Sequence, residues 1–395
     1  MDSNSVIEIF REITTIPRES GHEEKMTQFL VDFAKSHHLD YKVDKIGNVV
    51  ISKKATPGKE NVPAIAFQSH QDMVCEKLPH SKHNFETDPI QYVIEDGWMV
   101  AKETTLGADD GIGVAASLAL LESDLPMGPI ECLFTISEET GMDGAFGMEE
   151  GFITAKTLVN LDSEDEGQLF VGCAGGLDTT ITFDYKDEAV NAGSQILKLR
   201  IFDGQGGHSG DDINKNRANA VQQMARFLYG LEGRGYQLLS FVGGNKYNAI
   251  PRDAEAVIAV PEAELDKVVS EMKDFGEVLA NEFRVSDAAV KTSAEKIESK
   301  AMAIESAIAS RVITAMVAVH NGVMAMSQDI EGLVETSTHL AFIKMLEPGQ
   351  LTIGTSQRSS VDTAKIAVAD KVKACFELAG GKVVRSGLYP DGSLI

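Results

Sequence analysis

Four short segments in the first half of the chain concentrate residue types able to hold a metal ion. The first, Ser69-His70-Gln71-Asp72, follows an apolar run at 64–68. In an extended chain His70 and Asp72 point to the same side. A carboxylate on the second ring nitrogen commonly fixes the tautomer of a metal-binding histidine. Alone, the pair reads more readily as a polar strand end with a solvated histidine. The second segment, Thr105-Leu106-Gly107-Ala108-Asp109-Asp110-Gly111-Ile112-Gly113, sets two aspartates between glycines ahead of an apolar helix. One aspartate suffices as a helix cap. The second is surplus, because adjacent carboxylates repel unless a cation is near.

The third segment, Ser137-Glu138-Glu139-Thr140-Gly141-Met142-Asp143-Gly144, follows an apolar run at 130–136. Adjacent strand residues face opposite sides, so the two glutamates need a turn at Gly141 to share a site. One can then bind a metal while the other acts as general base on a metal-activated water. The pairs Glu23-Glu24 and Glu149-Glu150 read as solvated turns. The fourth segment is Asn160-Leu161-Asp162-Ser163-Glu164-Asp165-Glu166, where Asp162, nearest a strand, is the candidate inward ligand. Together the four segments offer His, Asp, Glu and Asp at strand ends and a helix start. That mixture of nitrogen and oxygen donors suits zinc and similar divalent ions, and an aspartate can bridge two ions about 3.5–4 Å apart.

In the second half, Gly206-Gly207-His208-Ser209-Gly210 is a glycine-rich turn presenting a histidine that can donate to a developing oxyanion. It lacks the Lys-Ser/Thr ending of a phosphate-binding loop. Asn248 stands beside a turn. Arg358 follows an alternating strand and can hold a carboxylate with two parallel hydrogen bonds. Lone Asn and Arg residues are more often structural.

The elements that must position these groups follow from pattern. Residues 5–16 and 22–38 read as amphipathic helices, 41–43, 48–52 and 64–68 as strands, and 109–121 as a helix apolar enough to be buried. Strands alternating with helices, with acids at strand ends, suggest an α/β layer whose site lies at those ends. Near residue 187 the texture changes. Strand-like runs at 196–201, 256–260, 340–345 and 350–355 then alternate with helices at 214–231, 262–283, 302–319 and 362–378, which predicts a second α/β domain. Residues 285–300 are polar and read as a mobile connection.

Composition bounds the function classes. The chain has 395 residues and a net charge of −24, which argues against nucleic acid and anionic membranes as partners and permits cations. An apolar share of 43% allows a sizeable core and excludes global disorder. There is no run of about 18 apolar residues and no signal-peptide pattern at the start. Cys75, Cys132, Cys173 and Cys375 are widely spaced without a CxxC, so the expectation is free thiols in a reducing cytosol.

In their order, Ser-His-Gln-Asp-Met-Val, Thr-Thr-Leu-Gly-Ala-Asp-Asp-Gly-Ile-Gly, Glu-Glu-Thr-Gly-Met-Asp-Gly-Ala-Phe-Gly, Leu-Asp-Ser-Glu and Gly-Gly-His-Ser-Gly resemble the M20 metallopeptidase family, nearest its aminoacyl-histidine dipeptidase branch. The resemblance runs from the N-terminus to about Tyr389. It implies an α/β fold: a zinc-peptidase-like catalytic domain, with helices around a mixed sheet, and an inserted α/β lid domain. By that resemblance residues 1–187 are the catalytic domain, 188–385 the lid, and 386–395 the start of a return to the catalytic domain.

The same resemblance implies two divalent metal ions, zinc with cobalt or manganese as alternatives. His70 and Asp162 then hold one ion, Glu139 serves the other, and Asp109 bridges. Glu138 matches the general base, Asp72 the partner of His70, and His208, Asn248 and Arg358 match substrate-facing lid residues. A cis peptide is implied between Asp109 and Asp110. The family's fifth ligand, a histidine near the C-terminus, has no counterpart, since His339 is the last histidine. That departure, and the Leu394-Ile395 ending, lead to the expectation of a C-terminally truncated chain whose second metal site lacks a ligand. The implied activity is hydrolysis of dipeptides of the Xaa-His type, with a homodimer compatible. An N-acyl-amino-acid deacylase and a non-catalytic metal-binding homologue are the alternatives.

Overall fold

The computed structural model describes residues 3–78, 80–163, 167–170 and 172–390. Glu164, Asp165 and Glu166 of the fourth acidic segment, and the terminal 391–395, lie outside the described residues. The chain divides into two compact units, Met1–Leu169 and Phe170–Ile395. Both mix helices with sheets, as the α/β reading expects.

In the first unit the strands, numbered along the chain, are β1 (Asp40–Val43), β2 (Val49–Lys53), β3 (Ile65–His70), β4 (Tyr92–Glu95), β5 (Trp98–Ala101), β6 (Ile130–Thr135) and β7 (Thr157–Asn160). β4 and β5 form a separate hairpin, and the others form one sheet in the order β1-β2-β6-β3-β7. β3 runs parallel to both β6 and β7, with His70 opposite Thr135 and Gln68 opposite Asn160. Three parallel strands therefore end along one edge, each running into one of the acidic segments. In open α/β sheets that edge is where ligands bind.

Helices α1 (Ser3–Ile13), α2 (Glu24–Ser36) and α3 (Ala108–Glu122) support this sheet. α2 buries Met26, Leu30 and Ala34, a single stripe at helical spacing. α3 is apolar nearly all round and buries Val114, Ala115, Leu118, Ala119 and Leu121. Of these, Val114, Ala115, Leu118 and Leu121 pack with Phe10, Ile13, Val49, Ile51, Cys132 and Phe134 in one core. The short helices α4 (Glu138–Gly141) and α5 (Asp143–Gly147) follow β6 directly.

In the second unit the strands are β8 (Gly175–Asp184), β9 (Asp187–Glu188), β10 (Ser194–Phe202), β11 (Gln237–Gly243), β12 (Ala254–Pro261), β13 (Lys291–Ile297), β14 (Ala303–Ile304), β15 (Gly322–Met326), β16 (Val334–Lys344), β17 (Gln350–Ser359) and β18 (Lys382–Tyr389). β9 pairs with β14, and the other nine form one sheet, β13-β10-β12-β11-β16-β17-β8-β18, with β15 added beside β16. Helices α6 (Ala220–Tyr229), α7 (Leu265–Glu282), α8 (Ser306–Ala318) and α9 (Asp362–Leu378) complete its core. Among the described residues no helix is long and apolar enough to cross a membrane.

Three sequence expectations change here. The units divide at Leu169/Phe170 and not at 187/188, because β8 pairs with β17 and β18 of the second sheet. Residues 386–389, expected to begin a return to the first domain, lie in β18 of that same sheet. The polar segment 285–300 is not a loose connection. It contains β13, which pairs along its whole length with β10 at the sheet's edge, where polar outward residues are the norm.

Candidate metal centre

His70 ends β3 and is fully buried. Its Nε2 lies 3.0 Å from Asp109 Oδ1 and 3.5 Å from Asp162 Oδ1, and its Nδ1 lies 3.2 Å from Asp72 Oδ1. Asp72 is itself saturated. Its carboxylate accepts from Ser20 Oγ at 2.7 Å and from the backbone amides of Glu138 at 3.1 Å and Glu139 at 3.2 Å. One carboxylate thus orients the imidazole and the turn that bears both glutamates.

The two aspartates before α3 separate in role. Asp109 and Asp110 keep non-helical backbone angles, and the peptide bond between them is cis. Asp110 is buried and accepts from the His70 amide at 3.2 Å and the Gly113 amide at 3.0 Å. The second contact is a helix cap, three residues on. Gly113 is required there, since a Cβ would come within 2.1 Å of Asp110 Oδ1. Asp109, relieved of capping, turns its carboxylate to His70.

Two sets of donor atoms, each within 4.8 Å of one another, result: His70 with Asp109 and Glu139, and His70 with Asp110 and Asp162. Asp110 enters the second set although sequence reasoning singled out only its neighbour; the doubled aspartate was its signal. The electrostatics are those of a site built for cations. Burial alone lowers the pKa of His70, but hydrogen bonding to Asp109, Asp162 and Asp72 outweighs this and raises it to about 12. Burial raises Glu139 to about 7, helped by the charge of Asp109, and raises Asp110 to about 7, helped by Asp162. Burial also raises Asp162 and Glu138. Hydrogen bonding to His70 holds Asp109 low. Asp72, despite its burial, is held at about 2 by His70 and Ser20. Carboxylates that push one another toward protonation, gathered around one imidazole, fit a divalent cation in donor chemistry and spacing.

In the second unit His208, Asn248 and Arg358 are also brought together. A bridge joins His208 to Ala249, and Ser209 N donates to Asn248 O at 2.8 Å. His208 Nδ1 contacts Asp211 Oδ2 at 3.2 Å and the Gly210 amide at 3.3 Å. A Cβ on Gly210 would meet His208 Cε1 at 3.1 Å and Arg358 Nη1 at 3.2 Å, so these two side chains flank this glycine. Arg358 Nε is buried with no hydrogen-bond partner among the described residues. His339, on β16, is buried beside them and its Nε2 lies 3.0 Å from Ala249 O. Burial, with Arg358 and His208 adding to it, lowers the pKa of His339 to about 4.

Sequence reasoning missed the segment that underlies the first cluster. Glu23, read as a solvated turn residue, is buried, and its Oε1 accepts from Ser137 N at 2.9 Å and Ser137 Oγ at 3.0 Å. Arg18 is buried as well, beneath the loops of His70 and Asp109.

Comparison with known proteins places this geometry in a class. Residues 191–286 match the M20 peptidase dimerisation domain. Together with the similarity that follows, this means that the chain belongs to the M20 family of peptidases, which are hydrolases. Over 385 residues it is 38% identical to the cytosol non-specific dipeptidase of Escherichia coli (strain K12), covering 97% of this chain and 79% of that one. The crystal structure of aminoacylhistidine dipeptidase from Vibrio alginolyticus superposes with a TM-score of 0.79 at 40% identity, covering 99% of this chain and 80% of that one.

Proposed function

We propose that this chain hydrolyses dipeptides, including the Xaa-His type, by means of two divalent cations, zinc with cobalt or manganese as substitutes. The observation that carries the reading is the convergence of His70, Asp109, Glu139 and Asp162 at the ends of parallel strands and the start of α3. The relatives named as dipeptidases support it. In this reading residues 1–169 are the catalytic unit and the remainder the lid.

His70 and Asp162 would hold one cation and Glu139 the other, with Asp109 available to both. Bound there, the cations supply Lewis acidity and make a water acidic enough to ionise near neutral pH. Glu138 would take a proton from the attacking water and return it to the leaving amine. Its burial raises its pKa, which favours this exchange. Asp72 keeps His70 in the metal-binding tautomer. His208 donates to the oxyanion that develops on the substrate carbonyl. Arg358 pairs with the free carboxylate of the dipeptide, and Asn248 hydrogen-bonds beside it. The match at 191–286 supports a homodimer, and the free thiols together with the cytosolic relative support a cytosolic location.

The test is a substrate panel run with zinc and with a chelator, alongside metal counting per chain. Cleavage of Xaa-His dipeptides, abolished by the chelator, is the expected result. Cleavage of N-acetyl amino acids instead replaces the reading with a deacylase. Metal binding without turnover replaces it with a non-catalytic homologue.

A further inference from the structure

The segment Arg18-Glu19-Ser20-Gly21-His22-Glu23 touches three of the loops that carry the candidate ligands, and none of its residues is itself a ligand. Arg18 Nη1 donates to Gln71 O at 3.0 Å and to Asp72 O at 2.6 Å, and Nη2 donates to Gly107 O. Arg18 O in turn accepts from Met73 N at 3.0 Å, and Glu19 bridges Met73 in parallel. Ser20 Oγ donates to Asp72 Oδ2, and Glu23 takes both donors of Ser137, the residue before Glu138. The His70 loop, the Asp109 loop and the glutamate turn are each tied to this one six-residue stretch.

Arg18 is the unusual member. It is 2% exposed, and burying a guanidinium is costly unless other groups compensate. Its hydrogen bonds described above go to main-chain carbonyls, while the opposing charge comes from Asp72, Asp110 and Asp109. A lysine or arginine paired directly with those carboxylates would occupy the oxygens a cation needs. Arg18 offsets their charge from behind and leaves the oxygens free. Space is reserved for it, since a Cβ on Gly107 or Gly111 would come within 2.6 Å or 2.7 Å of Nη2.

We propose that the Arg18–Glu23 turn is the positioning element of the metal centre, with Arg18 and Ser20 as positioning residues that hold the ligand loops in register for cation binding. This rests on the reading of the cluster as a divalent-cation site. Ligand geometry held by such outer contacts commonly changes metal affinity by ~10- to 100-fold when they are removed.

Ser20 gives the clean test, because its hydroxyl is the only group removed in Ser20→Ala and is kept in Ser20→Thr. Zinc affinity is measured by competition with a chromophoric chelator, together with kcat, KM and the thermal midpoint of the cation-free protein. The expected result is zinc affinity weakened by about tenfold in Ser20→Ala, kcat lowered with KM little changed, an unchanged cation-free midpoint, and recovery in Ser20→Thr. Arg18→Lys, which keeps the charge but cannot span three carbonyls, is expected to weaken zinc binding further. Wild-type zinc affinity in both Ser20→Ala and Arg18→Lys overturns the proposal. If Arg18→Lys does not fold, the Ser20 pair decides alone. A wild-type chain that binds no zinc overturns the reading of the site itself, and this inference with it.

Discussion

Asp110 caps α3 while Asp109, its neighbour, reaches His70: the Gly113 amide lies 3.0 Å from Asp110 Oδ1, and His70 Nε2 lies 3.0 Å from Asp109 Oδ1. Substitution should separate these roles. Asp109→Asn leaves the cap intact and removes a donor from the cluster. Zinc at about 100 times its dissociation constant stabilises a wild-type site by about 2.7 kcal/mol, and that gain should be largely absent in Asp109→Asn. Asp110→Ala should cost about 1–2 kcal/mol even without zinc, through the lost cap and the unpaired His70 amide. Urea unfolding with and without zinc checks both. Equal zinc stabilisation of wild type and Asp109→Asn defeats the assignment.

Glu138 and Glu139 share a turn and differ in what they do. Both amides are anchored on Asp72, so the turn's geometry does not depend on the glutamate side chains. Glu138→Gln should therefore keep zinc stoichiometry while lowering kcat by about 10²–10⁴, the usual contribution of a positioned general base. Glu139→Gln should lower the zinc content itself. Metal analysis and initial rates on the same preparations distinguish the two, and undiminished turnover in Glu138→Gln removes it from the mechanism.

Much of the first cluster was legible because its logic is local. Each candidate donor stands at a point where an apolar strand stops or an apolar helix begins, and chain direction alone carries His70, Glu138 and Asp162 to the same edge once β3, β6 and β7 are parallel. What was not legible depends on distant partners. Glu23 reads as a solvated turn residue in sequence, and the side-chain hydrogen bonds that Arg18 and Glu23 make reach partners 53 or more residues away. β8 is a plain alternating strand whose membership in the second sheet is decided by β17, far along the chain. β13 is a largely polar strand, yet it pairs with β10 along its whole length.

Gly107 separates conformational strain from steric conflict. Its φ is +71°, and a Cβ would stand 2.6 Å from Arg18 Nη2 and 2.7 Å from Met73 Sδ. Gly21 has a φ of +82° and nothing within 4 Å. Gly21→Ala should cost only the left-handed backbone penalty, about 1 kcal/mol. Gly107→Ala should cost about 2 kcal/mol or more, because the buried guanidinium must also move. Denaturation midpoints give both numbers, and equal costs would mean that Arg18 yields freely.

His339 makes the stability of the second unit depend on acid. Burial holds its folded-state pKa at about 4, against 6.5 for the free side chain. Between those values the unfolded chain binds more protons than the folded one, so stability rises with pH across the window and falls as pH drops from about 6.5 toward about 4. The loss attributable to this residue is about 3 kcal/mol. His339→Gln keeps a donor for Ala249 O but cannot protonate in this range. Its stability should therefore fall less steeply than that of the wild type over the same interval, by about one proton in slope at pH 5. Urea denaturation at pH 7, 6, 5 and 4.5 measures the difference. Parallel curves for the two proteins would assign the acid sensitivity to the carboxylates instead.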